Sequence, residues 1–230
     1  MRPTIASCAS LRLNDKRNDV VSDSSFEIRV CRTCGLRYPV SGRQPQAARC
    51  PHCLGETLVV ESGALTREHR ERETPRLSIS AERAVILDNI RSAWNVGSIL
   101  RSAEGFGFSR AHLCGITPTP EHDAVRKTAL GAEDSIAWTC HKDAVILAQE
   151  LKQNGWMLYG LEETDSAAPL YEMGYLRAPM ALIVGNEICG VDPGLLAMCE
   201  RIFYIPMRGK KRSFNVAMAF SAAAYALQAR

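Results

Sequence analysis

Four cysteines in two short pairs place the hardest constraint on what this chain can fold into. Cys31-Arg32-Thr33-Cys34 is followed, after fifteen intervening residues, by Cys50-Pro51-His52-Cys53. Two residues between cysteines let one tight turn aim both sulfurs at a single point, and two such turns supply the four thiolates of a tetrahedral Zn²⁺. Gly35 and Gly55 follow the pairs, where the chain can use the positive φ that such a knuckle needs. Short strand-like segments flank the pairs, Phe26–Val30 before and Leu58–Glu61 after. The expectation is a zinc ribbon over residues 26–62, with Cys31, Cys34, Cys50 and Cys53 as ligands. His52 could replace one cysteine, and a redox CxxC is the other reading, although no thioredoxin-like βαβ pattern surrounds it. Four protein ligands leave the metal no open position, so its role is structural.

The 230 residues have room for one ordinary core beside such a module. Nine cysteines are an odd number, no secretory leader is legible, and four of them form a metal pattern, so a reducing cytoplasm is expected. The longest apolar stretch, Val216–Leu227, is interrupted by Ser221 and is too short to span a bilayer. Net charge is only +3, with 13 Lys/Arg against 9 Asp/Glu in residues 1–80 and 15 against 16 in residues 81–230. Bulk charge therefore proves no nucleic-acid partner, and local clusters must do so. Arg29, Arg32, Arg37, Arg43 and Arg49 surround the cysteines, as an RNA-contacting face or as a solvated basic one. Residues 1–25 read as a flexible tail, and the mixed-charge residues 63–80 as a linker.

From residue 81 the pattern alternates. Apolar runs suited to buried strands lie at Ala84–Leu87, Ala111–Cys114, Met157–Leu161, Met180–Val184 and Ile202–Ile205. Helical stretches lie between and after them, at Asn95–Gly105, Lys142–Asn154, Pro193–Cys199 and Asn215–Ala229. Asp192-Pro193 is a helix start with an N-cap carboxylate and proline at the first helical position. Such alternation predicts an α/β domain over 81–230 with a Rossmann-like parallel sheet. No GxGxxG follows the first strand, so ligand contacts must come from elsewhere.

Three segments are candidates. Leu87–Ala103 carries Asn95, Ile99 and Ser102 at helical spacing, with Arg101 pointing elsewhere. Ala181–Asp192 runs from a buried strand into a loop bounded by Gly185 and Gly190 that holds Asn186 and the single carboxylate Glu187. Ile205–Ala217 leaves a strand, crosses the basic run Arg208, Lys210, Lys211, Arg212, and enters a helix near Ser213 and Asn215. Loop N–H groups and a helix N-terminus favour polar or anionic ligands there.

In this order the three segments resemble the three motifs of the SpoU/TrmH branch of the SPOUT methyltransferases, over about Glu82 to Arg230. Lys127–Glu133 is similar to a further stretch that recurs in that family. The zinc ribbon lies outside the resemblance. The resemblance implies a C-terminal trefoil knot, a homodimer with a shared active site, and S-adenosylmethionine held in the knot. Its cofactor positions match Leu161, Gly185, Asn186, Gly190, Ile205, Met207 and Ser213. Its characteristic polar positions match Asn95, Arg101, Glu187, Ser213 and Asn215, with Arg101 as the catalytic group. The implied reaction is methylation of a ribose 2′-hydroxyl in tRNA or rRNA. Arg91 and the run Arg208, Lys210, Lys211 and Arg212 are candidate RNA contacts, Trp94 suits either an RNA or base contact or a dimer interface, and the apolar final helix suits a dimer interface. A non-catalytic RNA-binding or ribosome-assembly factor and a base-N-methylating SPOUT enzyme are the competing readings.

Overall fold

The computed structural model describes residues 25–41, 49–64, 82–174, 179–211 and 213–227. The tail apart from Ser25, most of the linker, Arg43 and Arg212 lie outside the described residues. The chain divides into two compact units, Met1–Pro75 and Arg76–Arg230.

In the first unit, β1 (Ser25–Cys31) lies between β2 (Arg37–Ser41) and β3 (Thr57–Ala64), all antiparallel. β2 was not legible in the sequence, because Pro39 cannot donate to a ladder. It sits at the sheet edge, where that donor is not needed. β3 runs two residues past the expected end of the module, with Gly63 lying against the Phe26 ring. Arg29 is no free RNA contact. Its Nη2 pairs with Glu27 Oε2 at 2.8 Å and its Nη1 donates to Thr57 Oγ1 at 3.1 Å, inside the sheet.

The second unit is a seven-stranded sheet of order β6-β5-β4-β9-β7-β10-β8, parallel throughout. Its strands are β4 (Arg83–Asp88), β5 (Arg110–Cys114), β6 (Ala137–His141), β7 (Met157–Leu161), β8 (Ala168–Pro169), β9 (Met180–Val184) and β10 (Arg201–Tyr204). β4 and β9 are buried along nearly their whole length, as continuous apolar runs in a parallel sheet should be. β6 is an edge strand with mostly exposed or half-exposed residues, so it carries no buried-strand pattern to read.

Alternation along the strands splits the core into two layers. Val85, Leu87, Leu113 and Leu182 face the side covered by α1 (Ala93–Gly105), α2 (Asp123–Ala129) and α5 (Val216–Ala226). Ala84, Ile86, Ala181 and Ile183 pack in the opposite layer with Leu147 of α3 (Ala144–Gln153) and Leu195 of α4 (Pro193–Leu196). α1 and α2 come close because position 97 is glycine: a Cβ there would collide with the Val125 carbonyl and the Thr128 hydroxyl. Asp192 caps α4 as its sequence predicts, accepting from the Gly194 N–H at 2.6 Å. α5 begins at Val216, later than Ser213, because Asn215 is its N-cap and accepts from Ala217 N–H at 3.0 Å. This helix is less buried than its composition suggests. Ala217, Phe220, Ala223 and Ala224 are covered, whereas Met218 and Tyr225 are each 64% exposed. No helix among the described residues is long and apolar enough to cross a membrane.

Candidate active site and cysteine cluster

Three strands end at one cleft. Leu161 ends β7 and is followed by Glu162 and Glu163, Val184 ends β9 and leads into the loop to Gly190, and Tyr204 ends β10 ahead of Ile205 and Met207. Ser213 to Val216 and Ala219, around the start of α5, complete a cavity of ≈ 370 Å³. A site beyond the carboxyl ends of parallel strands is where open α/β sheets bind ligands. Every candidate cofactor residue (Leu161, Gly185, Asn186, Gly190, Ile205, Met207 and Ser213) lies on its lining.

The loop after β9 is a tight ring. Asn186 and Gly190 exchange backbone bonds of 3.0 and 2.9 Å, and Asn186 Oδ1 accepts from the Ile188 and Cys189 N–H groups at 2.9 and 3.1 Å. A Cβ on Gly185 would run into the backbone of Gly190 and Val191, so the two turns can touch only without side chains. Gly190 also has φ +75°. The ring is tied to the end of β4: Asn186 Nδ2 donates to the Asn89 carbonyl at 2.7 Å, and the Asp192 N–H to the buried Asp88 Oδ2 at 2.9 Å.

Glu187 joins this loop to α1. It accepts from the Arg91 N–H at 2.9 Å, the Ser92 N–H at 3.0 Å and Asn95 Nδ2 at 2.9 Å. A carboxylate suits this place, since the first N–H groups of a helix have no partners within it. Burial pushes the Glu187 carboxyl up, but the Arg91 N–H, the Asn95 amide and the Glu187 and Ser92 N–H groups together hold it below the usual carboxylate range. Asn95 Oδ1 in turn accepts from Asn215 Nδ2 at 3.0 Å, so Glu187, Asn95 and Asn215 form one string from the loop across α1 to α5. Arg101 lies off this string and off the cleft lining, exposed on α1. Six residues beyond Asn95, it points about a third of a turn round the helix. Arg91, Arg208, Lys210 and Lys211 are exposed.

The cleft and all seven strands of its sheet fall within residues 82–225, which match the SpoU rRNA Methylase family model. The chain belongs to that family. Among the SpoU relatives, the tRNA (guanosine(18)-2′-O)-methyltransferase of Thermus thermophilus is 29% identical over 59% of this chain and 68% of its own length. The 23S rRNA (guanosine-2′-O-)-methyltransferase RlmB of Xanthomonas axonopodis pv. citri is 31% identical over 59% of this chain, which spans about half, 53%, of that protein. The crystal structure of an AdoMet-bound rRNA methyltransferase from Sinorhizobium meliloti superposes with a TM-score of 0.60 at 23% identity, over 64% of this chain and 56% of that one. At that identity the likeness establishes the SpoU fold. Glu162 is a lining residue that motif reading passes over. The signal available was positional: it is the first polar residue after a buried strand, on the side where such sheets bind ligands.

Beyond the SpoU domain, the four paired cysteines converge. The sulfurs of Cys31, Cys34, Cys50 and Cys53 all lie within 4.8 Å of one another and could hold a metal ion. The Cys31–Cys53 and Cys34–Cys50 sulfurs are 3.4 and 3.6 Å apart, close to the roughly 3.8 Å edge of a tetrahedron with Zn–S bonds of about 2.3 Å. Thr33 and Cys34 aim their N–H groups at Cys31 Sγ, both at 3.4 Å, and His52 aims its own at Cys50 Sγ at 3.4 Å. The Cys34 N–H is the main influence that brings the Cys31 thiol down to about 6. Only the backbone of His52 turns toward the sulfur cluster in these contacts.

Proposed function

We propose that this protein transfers a methyl group from S-adenosylmethionine to a ribose 2′-hydroxyl of tRNA or rRNA. The observation that carries the reading is the cleft beyond β7, β9 and β10, coupled through Glu187, Asn95 and Asn215 to the helix that bears Arg101. The named relatives, which are guanosine 2′-O-methyltransferases of tRNA and rRNA, supply the substrate class.

When bound, S-adenosylmethionine supplies an electrophilic methyl group on a sulfonium. The cleft fits such a molecule: it is large enough, its glycine backbones permit close approach, and its apolar walls (Leu161, Ile205, Met207) suit an adenosine. Leu161, Gly185, Asn186, Gly190, Ile205, Met207 and Ser213 would hold it. A ribose hydroxyl is a weak nucleophile at neutral pH, so the site must favour its alkoxide character. Arg101 does this as a fixed cation that orients the hydroxyl and stabilises the developing negative charge, since guanidinium does not give up its proton in ordinary surroundings. Asn95, Glu187 and Asn215 position the helix and loops, and Ser213 closes the cleft beside them. Arg91, Arg208, Lys210, Lys211 and Arg212 take RNA phosphates.

Arg101 comes to a cleft through a homodimer. Met218, Ala222 and Tyr225 are exposed at i, i+4 and i+7 on α5, and Trp94 is 56% exposed on neighbouring α1. α1 and α5 are joined by a 2.8 Å Ser102–Ser221 hydrogen bond, so exposed apolar residues of both helices are available to one partner surface. A second copy covering it would bring each Arg101 toward the other subunit's cleft. We further infer the trefoil knot. β9 lies between β4 and β7 and β10 lies beyond β7, yet α5 returns to α1, a path that suits threading past the loop after β9. The four cysteines hold structural Zn²⁺, and thiol ligands belong in a reducing cytoplasm.

Incubation of the full chain with S-adenosylmethionine and unmodified tRNA or rRNA, followed by nucleoside mass spectrometry, tests the reading. A 2′-O-methylnucleoside is expected. Methyl on a base nitrogen would assign the other SPOUT chemistry, and no product in either RNA would assign a binding factor. Arg101→Ala should lower turnover by about 100-fold or more while S-adenosylmethionine affinity stays within about threefold. Turnover within threefold of the parent removes Arg101 from the catalytic role.

A further inference from the structure

The charge of the cleft is one-sided. Among its described lining residues are three carboxylates, Glu162, Glu163 and Glu187, and no lysine, arginine or histidine. The neighbouring basic residues Arg208, Lys210 and Lys211 are exposed and outside the lining. Glu187 is committed to the start of α1 by its three hydrogen bonds. Glu162 is placed differently. It leaves the end of β7 half-buried, and its Oε2 accepts from the Val191 N–H at 2.9 Å while its Oε1 accepts from the Glu163 N–H at 3.0 Å. Gly190 lies directly against this carboxylate: a Cβ there would stand 2.5 Å from Glu162 Oε2 and would displace it. A carboxylate whose rotamer is held by two backbone donors is a fixed negative charge, and a fixed charge lining a cleft discriminates between ligand charge states to the extent that solvent does not screen it.

We propose that Glu162, seconded by Glu163, is the specificity-determining anion of the cofactor cleft: it favours the sulfonium donor over the neutral thioether left after transfer. The proposal rests on the methyltransferase reading above. The two ligands share every group except one methyl and one positive charge. Contacts to the adenosine and the amino-acid end bind both alike, and uniform binding of this kind cannot clear the product. Negative charge near the sulfur raises affinity for the donor alone. Once the methyl leaves, sulfur becomes neutral, the attraction is lost and the thioether departs more readily. Glu162 also accepts from the Val191 N–H at the end of the loop after β9, so its charge is tied to that loop.

The test is calorimetric binding of S-adenosylmethionine and of S-adenosylhomocysteine to the full chain, E162Q and E163Q, without RNA. The parent should bind the sulfonium about three- to tenfold more tightly than the thioether, the size of effect a unit charge has in partly screened surroundings. The preference should shrink as salt is raised to about 0.5 M. E162Q should reduce it to within about twofold of unity, chiefly by weakening the sulfonium. E163Q, which removes a charge but none of the hydrogen bonds to Val191, should reduce it by a smaller factor. Measuring both ligands on E162Q separates a loosened loop from a lost charge, because a loosened loop weakens both equally whereas a lost charge weakens chiefly the sulfonium. Equal affinity of the parent for both ligands, equal weakening of both in E162Q, or a preference unchanged in both variants overturns the proposal and leaves the methyltransferase reading standing. Failure of the parent to bind either ligand overturns that reading, and the proposal with it.

Discussion

At the scale of single residues, the site works by satisfying backbone groups at helix starts. Glu187 takes two N–H groups of the α1 entry and the Asn95 amide, and Asn215 caps α5 while reaching Asn95. Glu187→Ala leaves these donors to water and frees the loop from α1. The expected cost is about 1 kcal/mol of stability, small because the site is open to solvent, with a larger loss of S-adenosylmethionine affinity as the loop loses its anchor. Urea unfolding and calorimetry of the variant check both. Because the folded Glu187 carboxyl lies below its ordinary value, its contribution is present above the usual carboxylate range and is lost as pH falls through the lowered value. These residues were legible in order and type. Their partners were not, since Asn95 and Asn215 are 120 positions apart in the chain.

At the scale of elements, the cysteine module and the helices obeyed local rules. Two CxxC turns brought four sulfurs together, and the N-cap of α4 was readable from Asp192 and Pro193. The missed elements were those without a local signal. β6 is an exposed edge, β2 contains Pro39, and α2 is a short polar helix whose cap is His122 Nδ1 accepting from the Ala124 N–H at 3.1 Å. With so small a sheet, the module is expected to depend for its stability on the Zn²⁺ proposed above. Chelation with excess EDTA, or Cys31→Ser or Cys50→Ser, is expected to release one equivalent of zinc per chain and unfold residues 26–62 while the SpoU domain keeps its thermal transition. Metal analysis with hydrogen exchange reads this out. Retained metal after both substitutions would contradict the ligand set.

At the scale of the whole molecule, one buried histidine gives the fold a pH limit. His112 on β5 is 8% exposed, and its Nε2 is buried with no hydrogen-bond partner among the described residues. Its Nδ1 shares a 2.9 Å bond with Thr139 Oγ1, and the ring meets His141 edge-on at 5.3 Å. Burial first, then His141 and Arg110, bring the imidazole down to about 4. Stability from this neutral ring is complete above its ordinary value near 6.5 and is lost as pH falls from there toward 4, by about 3 kcal/mol at most. His112→Phe fills the same layer without a titrating group, so its stability between pH 7 and 4 should fall less than the parent's in parallel urea titrations. An equal slope would locate the acid limit elsewhere.

The sequence by itself determined what depends on neighbours along the chain: the period of the strands and helices, the glycines that let two turns meet, the sulfur spacing, and the order of motifs that marks the family. What depends on distance in space came from the packing of the fold. It inserted β9 between β4 and β7, gathered three strand ends into one cleft, set Glu162 against Gly190, turned Arg29 inward onto Glu27 and left Arg101 exposed and off the cleft lining. The reason is that periodicity reports which face of an element is buried, while the partner of that face is chosen by packing among segments about a hundred residues apart.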